Sequence, residues 1–287
     1  MPRFKKIFLE ITNRCNLSCE FCAPGHRISA DLSAAACAVL LPQLKEFTDH
    51  LALHVLGEPL LHPDLAGILA MCREHGLKVN VTTNGTLLPR LGEMLAANPA
   101  LRQVNISLHS VMGRAGAYDP KSYLAGVLAF AGQAAATGIF VSLRLWDRPR
   151  LTAGPGRWQE EALAGLEEFF GLTLPLTDLA DGGHGFRLAE RIFISRKELF
   201  EWPSLSGEER GNQGFCPALR DQVAILADGT VVPCCLDGRG EIALGNINEQ
   251  PFAEIAEGKR ARRIREGFAR RKVVEELCRR CSYRQRF

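Results

Sequence analysis

The stretch ITNRCNLSCEFCAPG, residues 11–25, follows the apolar run Ile7–Ile11 and places Cys15, Cys19 and Cys22 within eight residues. A short apolar, β-branched run ending in such a loop reads as a strand that delivers ligands at its carboxyl end. Three thiolates in this spacing wrap one iron–sulfur cluster and, being three rather than four, leave one iron with an open position. His26, four residues after Cys22, keeps a second reading open, a tetrahedral zinc site of three cysteines and one histidine. A disulfide reading fails on count, because three cysteines cannot pair among themselves.

Outward from this motif, short apolar runs alternate with segments of helical period. Candidate strands are Ile7–Ile11, Leu51–Leu56, Lys78–Thr82, Gln103–Leu108, Ile139–Leu145 and Ala189–Ile194; candidate helices are Leu32–Phe47, Pro63–His75, Leu87–Ala97, Lys121–Thr137 and Trp158–Phe170. Gly76, Gly138 and Gly171 fall just past helix ends, where a left-handed cap is wanted. Regular alternation implies parallel strands and an α/β domain, an open sheet or incomplete barrel, with its chemistry at the carboxyl ends of the strands. The pattern breaks at 172–186 and again at 204–214. Beyond that, Gln222–Leu226 and Thr230–Pro233 flank Asp228-Gly229 as a hairpin, and helices are expected near Phe252–Phe268 and Val273–Leu277.

With 287 residues, 46% of them apolar, the chain can bury one large or two small cores, which excludes disorder as a description of the whole. Thirty-five Lys and Arg against 32 Asp and Glu leave a net charge of +3, far from a polyelectrolyte that coats nucleic acid or an anionic membrane. No apolar run approaches the roughly 18 residues of a spanning helix, and Glu10 stands where an export signal needs its apolar middle. The expectation is a cytoplasmic protein with no membrane association. Its ten cysteines are too few for a disulfide scaffold, which makes metal ligation the default. They gather at both ends of the chain, so two metal centres are expected; Cys37 and Cys72, alone in helical segments, read as small buried apolar residues.

The second group is Cys216, Cys234 and the pair Cys278 and Cys281, with Cys235 beside Cys234. Four thiolates fully ligate a [4Fe–4S] cluster, and a zinc ion fits the same spacing. A fully ligated cluster binds no cofactor, so its roles are structural or electron-carrying. From Lys259 to Phe287 twelve Lys and Arg face three Glu. Such an end recognises RNA, a phosphate or an acidic peptide, or else it is a solvated face that balances thiolate charge.

The first motif resembles that of the radical SAM superfamily, C-x3-C-x2-C after the first strand of a partial (β/α)6 barrel, with an aromatic at Phe21 before the last cysteine. Segment 56–63, LGEPLLHP, is similar to the family's Gly-Gly-Glu-Pro, with Leu56 in place of the first glycine. The resemblance implies that Gly57 and Glu58 hold the amino group of S-adenosylmethionine. It also implies that Thr83 and Asn84 (in TTNG, 82–85), Ser107 and Arg144 line the same cofactor, Arg144 against its carboxylate. The spacing of Cys216, Gly229, Cys234 and the late pair resembles the SPASM and twitch auxiliary-cluster modules, in the one-cluster form known from 2-deoxy-scyllo-inosamine dehydrogenase, and it favours Cys234 over Cys235. The implied organisation is a radical SAM core over 1–203 and an auxiliary iron–sulfur domain, a small α+β module, over 204–287.

The function expected is reductive cleavage of S-adenosylmethionine at a [4Fe–4S] cluster and hydrogen abstraction from a peptide, a carbohydrate-like alcohol or RNA. A second [4Fe–4S] cluster would assist a net oxidation or modification, and a low-potential donor such as flavodoxin or ferredoxin would supply electrons. His109, Tyr118 and Asp147 lie near strand ends without an assigned role. The competing expectation is a non-catalytic zinc or iron–sulfur protein that binds nucleic acid through its basic end.

Overall fold

The computed structural model describes residues 3–23, 27–111, 118–147, 155–173, 175–176, 185–198 and 200–287, without the side chains of 147, 155–157, 159 and 198. His26 and most of the expected break at 172–186 lie outside the described residues. The chain divides into two compact units, one of Met1–Asn16, Phe21–Val79 and Phe200–Phe287 and one of Leu17–Glu20 and Asn80–Leu199.

In the first unit β1 (Lys6–Leu9), α1 (Ala34–Lys45), β2 (His50–Leu53) and α2 (Leu65–Glu74) follow the expected alternation. Ser33 starts α1 by accepting the Ala36 N–H at 3.1 Å. β1 pairs in parallel with β2, Ile7 opposite Leu51. On its other side β1 pairs in parallel with β8 (Gln222–Ile225), from Lys6–Gln222 to Leu9–Ile225. β9 (Thr230–Val232) returns antiparallel to β8 around Asp228-Gly229, as expected, and β10 (Gly245–Asn246) pairs antiparallel with β9. Ile7, Leu9, Leu51, Leu53, Val223 and Ile225 are wholly buried, as central parallel strands require. Sequence periodicity carries no sign of the β1–β8 pairing, which joins residues more than two hundred positions apart.

The division between the units falls inside β3 (Lys78–Thr83). The second unit contains α3 (Leu88–Ala96), β4 (Leu101–Ser107), α4 (Pro120–Ala136), β5 (Phe140–Asp147) and α5 (Pro155–Phe170), then β6 (Phe186–Ala189) and β7 (Ile192–Glu198). β4, β5 and β7 are parallel neighbours, and β6 is antiparallel to β7. The fold class is therefore the α/β one expected. Gly76, Gly138 and Gly171 take left-handed backbone at helix ends.

Three expectations are corrected. The strand expected over Ala189–Ile194 is a hairpin, because Arg191 turns with φ +61° and only β7 continues in the parallel direction. The helix expected over Phe252–Phe268 is two, α6 (Phe252–Ala256) and α7 (Lys259–Ala269), separated by extended backbone at Gly258. The last helix, α8, covers Glu276–Arg279 rather than Val273–Leu277, and Glu275 with extended backbone precedes it. Cys37 and Cys72 are wholly buried, and burial pushes both thiols up to about 12. They are core residues, as their helical positions imply.

Candidate cofactor and metal centres

The loop that carries the first three cysteines is stapled at its base. Thr12 bridges Asp31, the Asn13 amide donates to Ile28 O at 2.8 Å, and Ala30 N–H donates to Asn13 Oδ1 at 2.9 Å. Arg14 grips Asp31 through two nitrogens, at 3.0 and 2.5 Å. Cys15 and Cys22 are exposed. Phe21 O, beside Cys22, accepts the indole N–H of Trp202 at 3.0 Å.

Segment 56–58 is laid against this base. Gly57 has φ +74°, and a Cβ there would stand 2.4 Å from Thr12 O and 2.8 Å from the Cα and carbonyl carbon of Asn13. Only glycine allows that approach. The next residue donates its N–H to Arg14 O at 2.7 Å. Glu58 is 1% exposed and starts a short 3-10 turn, its Oε1 accepting Leu60 N–H at 3.0 Å. The glycine and the carboxylate thus stand one residue from the cysteine loop, joined to it by backbone.

Glu10 is a buried residue beside the cysteine loop whose part in the fold sequence reasoning missed. It is wholly buried at the end of β1 and accepts the N–H groups of Leu56 and Ala227, each at 2.9 Å, and the guanidinium of Arg27. Arg27 in turn donates to Gly238 O at 2.8 Å. One carboxylate therefore joins the ends of β1, β2 and β8 and the segment that follows the cysteine loop. Burial raises its pKa above the usual carboxylate value although Arg27 opposes the shift. The available signal was an acidic residue closing an apolar strand directly before the motif.

In the second unit the candidate residues sit at strand ends. Thr83 and Asn84 are buried, Thr83 Oγ1 accepting Gly85 N–H at 3.1 Å and Asn84 Oδ1 accepting Thr86 N–H at 3.0 Å, which shapes the turn after β3. The Tyr123 hydroxyl donates to Asn84 O at 2.8 Å. Ser107 on β4 is the register partner of Arg144 on β5, and Arg144 is that of Ser195 on β7, which places the three side by side. Ser195 was missed because the strand was expected to end at Ile194. His109 is buried, stacks on Trp146 at 4.2 Å between ring centroids and hydrogen-bonds Arg144 O at 3.2 Å. Cys19 donates its thiol to Ser110 O at 3.4 Å. The side chain of Asp147 lies outside the described residues, and Tyr118 is half-buried.

The four thiols of the second group line one cavity, with about 510 Å³ of empty space partly open to solvent. Cys216, Cys234, Cys278 and Cys281 all contribute to its wall. Cys235 packs instead against the apolar cluster of Phe8, Ala52, Val55 and Leu226. Burial raises all four thiols, and neighbouring thiols add to the shift at Cys216, Cys234 and Cys278; Cys216 is pushed to about 11 by burial first, with Cys281 adding to it and Arg284 opposing. Buried thiols that repel one another's charge need a cation among them to become thiolates, the condition a metal centre meets. Among the described residues no group of three or more His, Cys, Asp and Glu stands close enough to grip a single ion. A cavity walled by four thiols fits a four-iron cube.

The basic end is partly absorbed by the fold. Arg260 and Arg263 converge on Glu275 at 2.8 and 2.9 Å and hold its carboxyl below the usual range against the effect of burial. Arg265 pairs with Glu257 at 3.1 Å and Arg280 with Glu276 at 3.0 Å, while Arg284 is buried. Lys259, Arg262, Arg270, Arg271 and Lys272 remain exposed. No helix of the described residues is long and apolar enough to cross a membrane.

Residues 9–191 match the radical SAM superfamily and residues 216–282 match SPASM, an iron–sulfur cluster-binding domain. Molybdenum cofactor biosynthesis protein 1 of Bos taurus is 37% identical over 112 residues, 36% of this chain but only 17% of the bovine protein's length. The GTP 3′,8-cyclase of Microcystis aeruginosa is 26% identical over 313 aligned positions, covering 90% of this chain and 89% of that enzyme. Among solved structures, BtrN in complex with AdoMet and 2-DOIA aligns with a TM-score of 0.55 at 17% identity, covering 98% of this chain and 94% of that one. SuiB of Streptococcus suis bound to precursor peptide SuiA aligns with a TM-score of 0.58 at 17% identity, covering 91% of this chain and 66% of that one. The two domains bring S-adenosylmethionine and two [4Fe–4S] clusters to the chain. By the match over 9–191 the chain belongs to the radical SAM superfamily, and it carries a SPASM iron–sulfur domain after the radical SAM domain.

Proposed function

We propose that the chain oxidises an organic substrate at a C–H bond, with residues 1–203 as the catalytic core and 204–287 as an auxiliary-cluster module. The observation that carries this reading is the cavity walled by four thiols. With every iron of that cluster taken by the protein, no position is left for a substrate, which points to electron transfer and hence to net oxidation. When bound, the cofactors supply a 5′-deoxyadenosyl radical that takes the substrate hydrogen atom, and a second cluster able to accept an electron.

In this reading Cys15, Cys19 and Cys22 hold the first cluster and Cys216, Cys234, Cys278 and Cys281 the second. Gly57 brings a bare backbone against the base of the cysteine loop, and Glu58 presents a buried carboxylate to the ammonium of S-adenosylmethionine. Arg144 binds the cofactor's carboxylate, with His109 steadying the backbone that bears it. Phe21, Thr83, Asn84 and Ser107 complete the cofactor's surroundings. A low-potential flavodoxin or ferredoxin serves as electron donor.

A carbohydrate-like alcohol is the favoured substrate class, because BtrN, crystallised with 2-DOIA, aligns over nearly all of both chains. An acidic peptide, held by the exposed basic residues, is supported by the likeness to SuiB with its precursor peptide, and RNA suits the same charge. Cyclisation of GTP is a second reading, favoured by the cyclase relative that matches over most of its length.

The test is anaerobic reconstitution, dithionite and S-adenosylmethionine with aminocyclitols, acidic leader peptides, a short RNA or GTP. The reading predicts 5′-deoxyadenosine together with a product two hydrogens lighter than one of the first three. A GTP-derived isomer of unchanged mass, with no oxidised product, overturns it in favour of the cyclase.

A further inference from the structure

Among the described residues Arg284 is the one guanidinium that lines the cavity of the four thiols, and it is 5% exposed. It donates to four backbone oxygens: Cys278 O at 3.1 Å, Gln213 O at 2.5 Å, Arg210 O at 3.3 Å and Gly211 O at 3.0 Å. Among the described residues no carboxylate pairs with it. Its hydrogen bonding is thus satisfied while its charge is left uncompensated, an arrangement that costs stability unless an anion lies close by. The chain makes room for it at Gly214, where backbone with φ +134° is strained for any other residue and a Cβ would stand 2.4 Å from Nη1, displacing the guanidinium tip. Among the described residues the other charged groups that bear on the thiols are Arg210, on Cys281, and Arg260, Asp237 and Glu275, on Cys278. Glu275 is neutralised by its two arginines, and Asp237 accepts the N–H groups of Glu241 and Ile242 at 2.9 and 2.8 Å.

We propose that Arg284 sets the reduction potential of the second cluster. A cube held by four thiolates gains one negative charge on reduction, and a fixed cation buried against it favours the reduced form. Arg284 therefore holds the potential up, within reach of a one-electron donor such as a substrate radical. In the experiment below that electron comes from dithionite. Arg284 is a positioning residue in this role: it touches neither substrate nor S-adenosylmethionine.

This inference rests on the reading that the four thiols hold a [4Fe–4S] cluster, and the experiment separates the two. In the 287-residue chain with Cys15, Cys19 and Cys22 replaced by Ala, reconstitution should leave about four irons per chain; none would sink the underlying reading. A redox titration followed by electron paramagnetic resonance then compares Arg284, Arg284→Gln and Arg284→Lys in that background. The expected result is a midpoint shifted downward in Arg284→Gln and near the parent value in Arg284→Lys, which keeps the charge and loses most of the hydrogen bonds. An unshifted midpoint in iron-replete Arg284→Gln overturns the proposal. If Arg284→Gln fails to retain iron, Arg284→Lys decides alone, since a downward shift there makes hydrogen bonding rather than charge the controlling feature.

Discussion

Replacing Gly57 by Ala tests the packing of the glycine segment on the cysteine loop. Left-handed backbone costs a non-glycine residue about 1–2 kcal/mol. The new methyl group would overlap Thr12 O at 2.4 Å and the Asn13 backbone at 2.8 Å. Those atoms belong to the strand end that enters the loop, so the segment must withdraw. Withdrawal breaks the 2.7 Å bond from Glu58 N–H to Arg14 O, worth about 1 kcal/mol, and residual overlap adds about 1–2 kcal/mol. Together these amount to about 3–5 kcal/mol, a large share of the roughly 5–15 kcal/mol that holds a domain folded. Urea denaturation of the reconstituted protein measures the loss, and iron counting shows whether the first cluster is the one that suffers. A Gly57→Ala protein that unfolds at the parent urea concentration and loads its first cluster fully would refute this reasoning.

Other outcomes follow from the same geometry. Cys234→Ser should lose about four irons per chain, whereas Cys235→Ser should retain them and cost only about 1 kcal/mol of packing; an iron assay that reverses the two would move the ligand to Cys235. Glu10→Gln removes the nearer of the two carboxylates beside a largely buried Arg27, Asp228 remaining at 3.9 Å, and should cost about 1.5–3 kcal/mol, read by thermal unfolding, with weaker loading of the first cluster. The Glu275 carboxyl is held below its ordinary value of 4.5, so its contribution is present at neutral pH and lost as pH falls below that value. Glu275→Gln should therefore destabilise the protein by about 1–3 kcal/mol at pH 7 and much less at pH 3, and an equal loss at both would contradict the pairing with Arg260 and Arg263.

Local chemistry was legible in the sequence, while long-range pairing was not. The strands β1 to β5, the helices between them and the Asp228-Gly229 hairpin follow from periodicity and turn residues, whose causes lie within a few positions. The Arg191 turn was hidden because an arginine in left-handed backbone has no sequence signature. The pairing of β1 with β8 was hidden because it is fixed by burial of both faces, which any apolar strand satisfies. Glu10 read only as a break in an apolar run, yet it accepts donors from Leu56, Arg27 and Ala227, residues far apart in the chain. Cys235 could be separated from Cys234 only once the apolar cluster behind it was visible.

The central claim is that the first cluster, held by three cysteines, keeps an iron free for S-adenosylmethionine. Electron paramagnetic resonance of the dithionite-reduced chain with Cys216, Cys234, Cys278 and Cys281 replaced by Ala isolates that cluster. Adding S-adenosylmethionine should shift its signal and be followed by formation of 5′-deoxyadenosine. A signal that stays the same at saturating S-adenosylmethionine, with no nucleoside formed, would contradict the account.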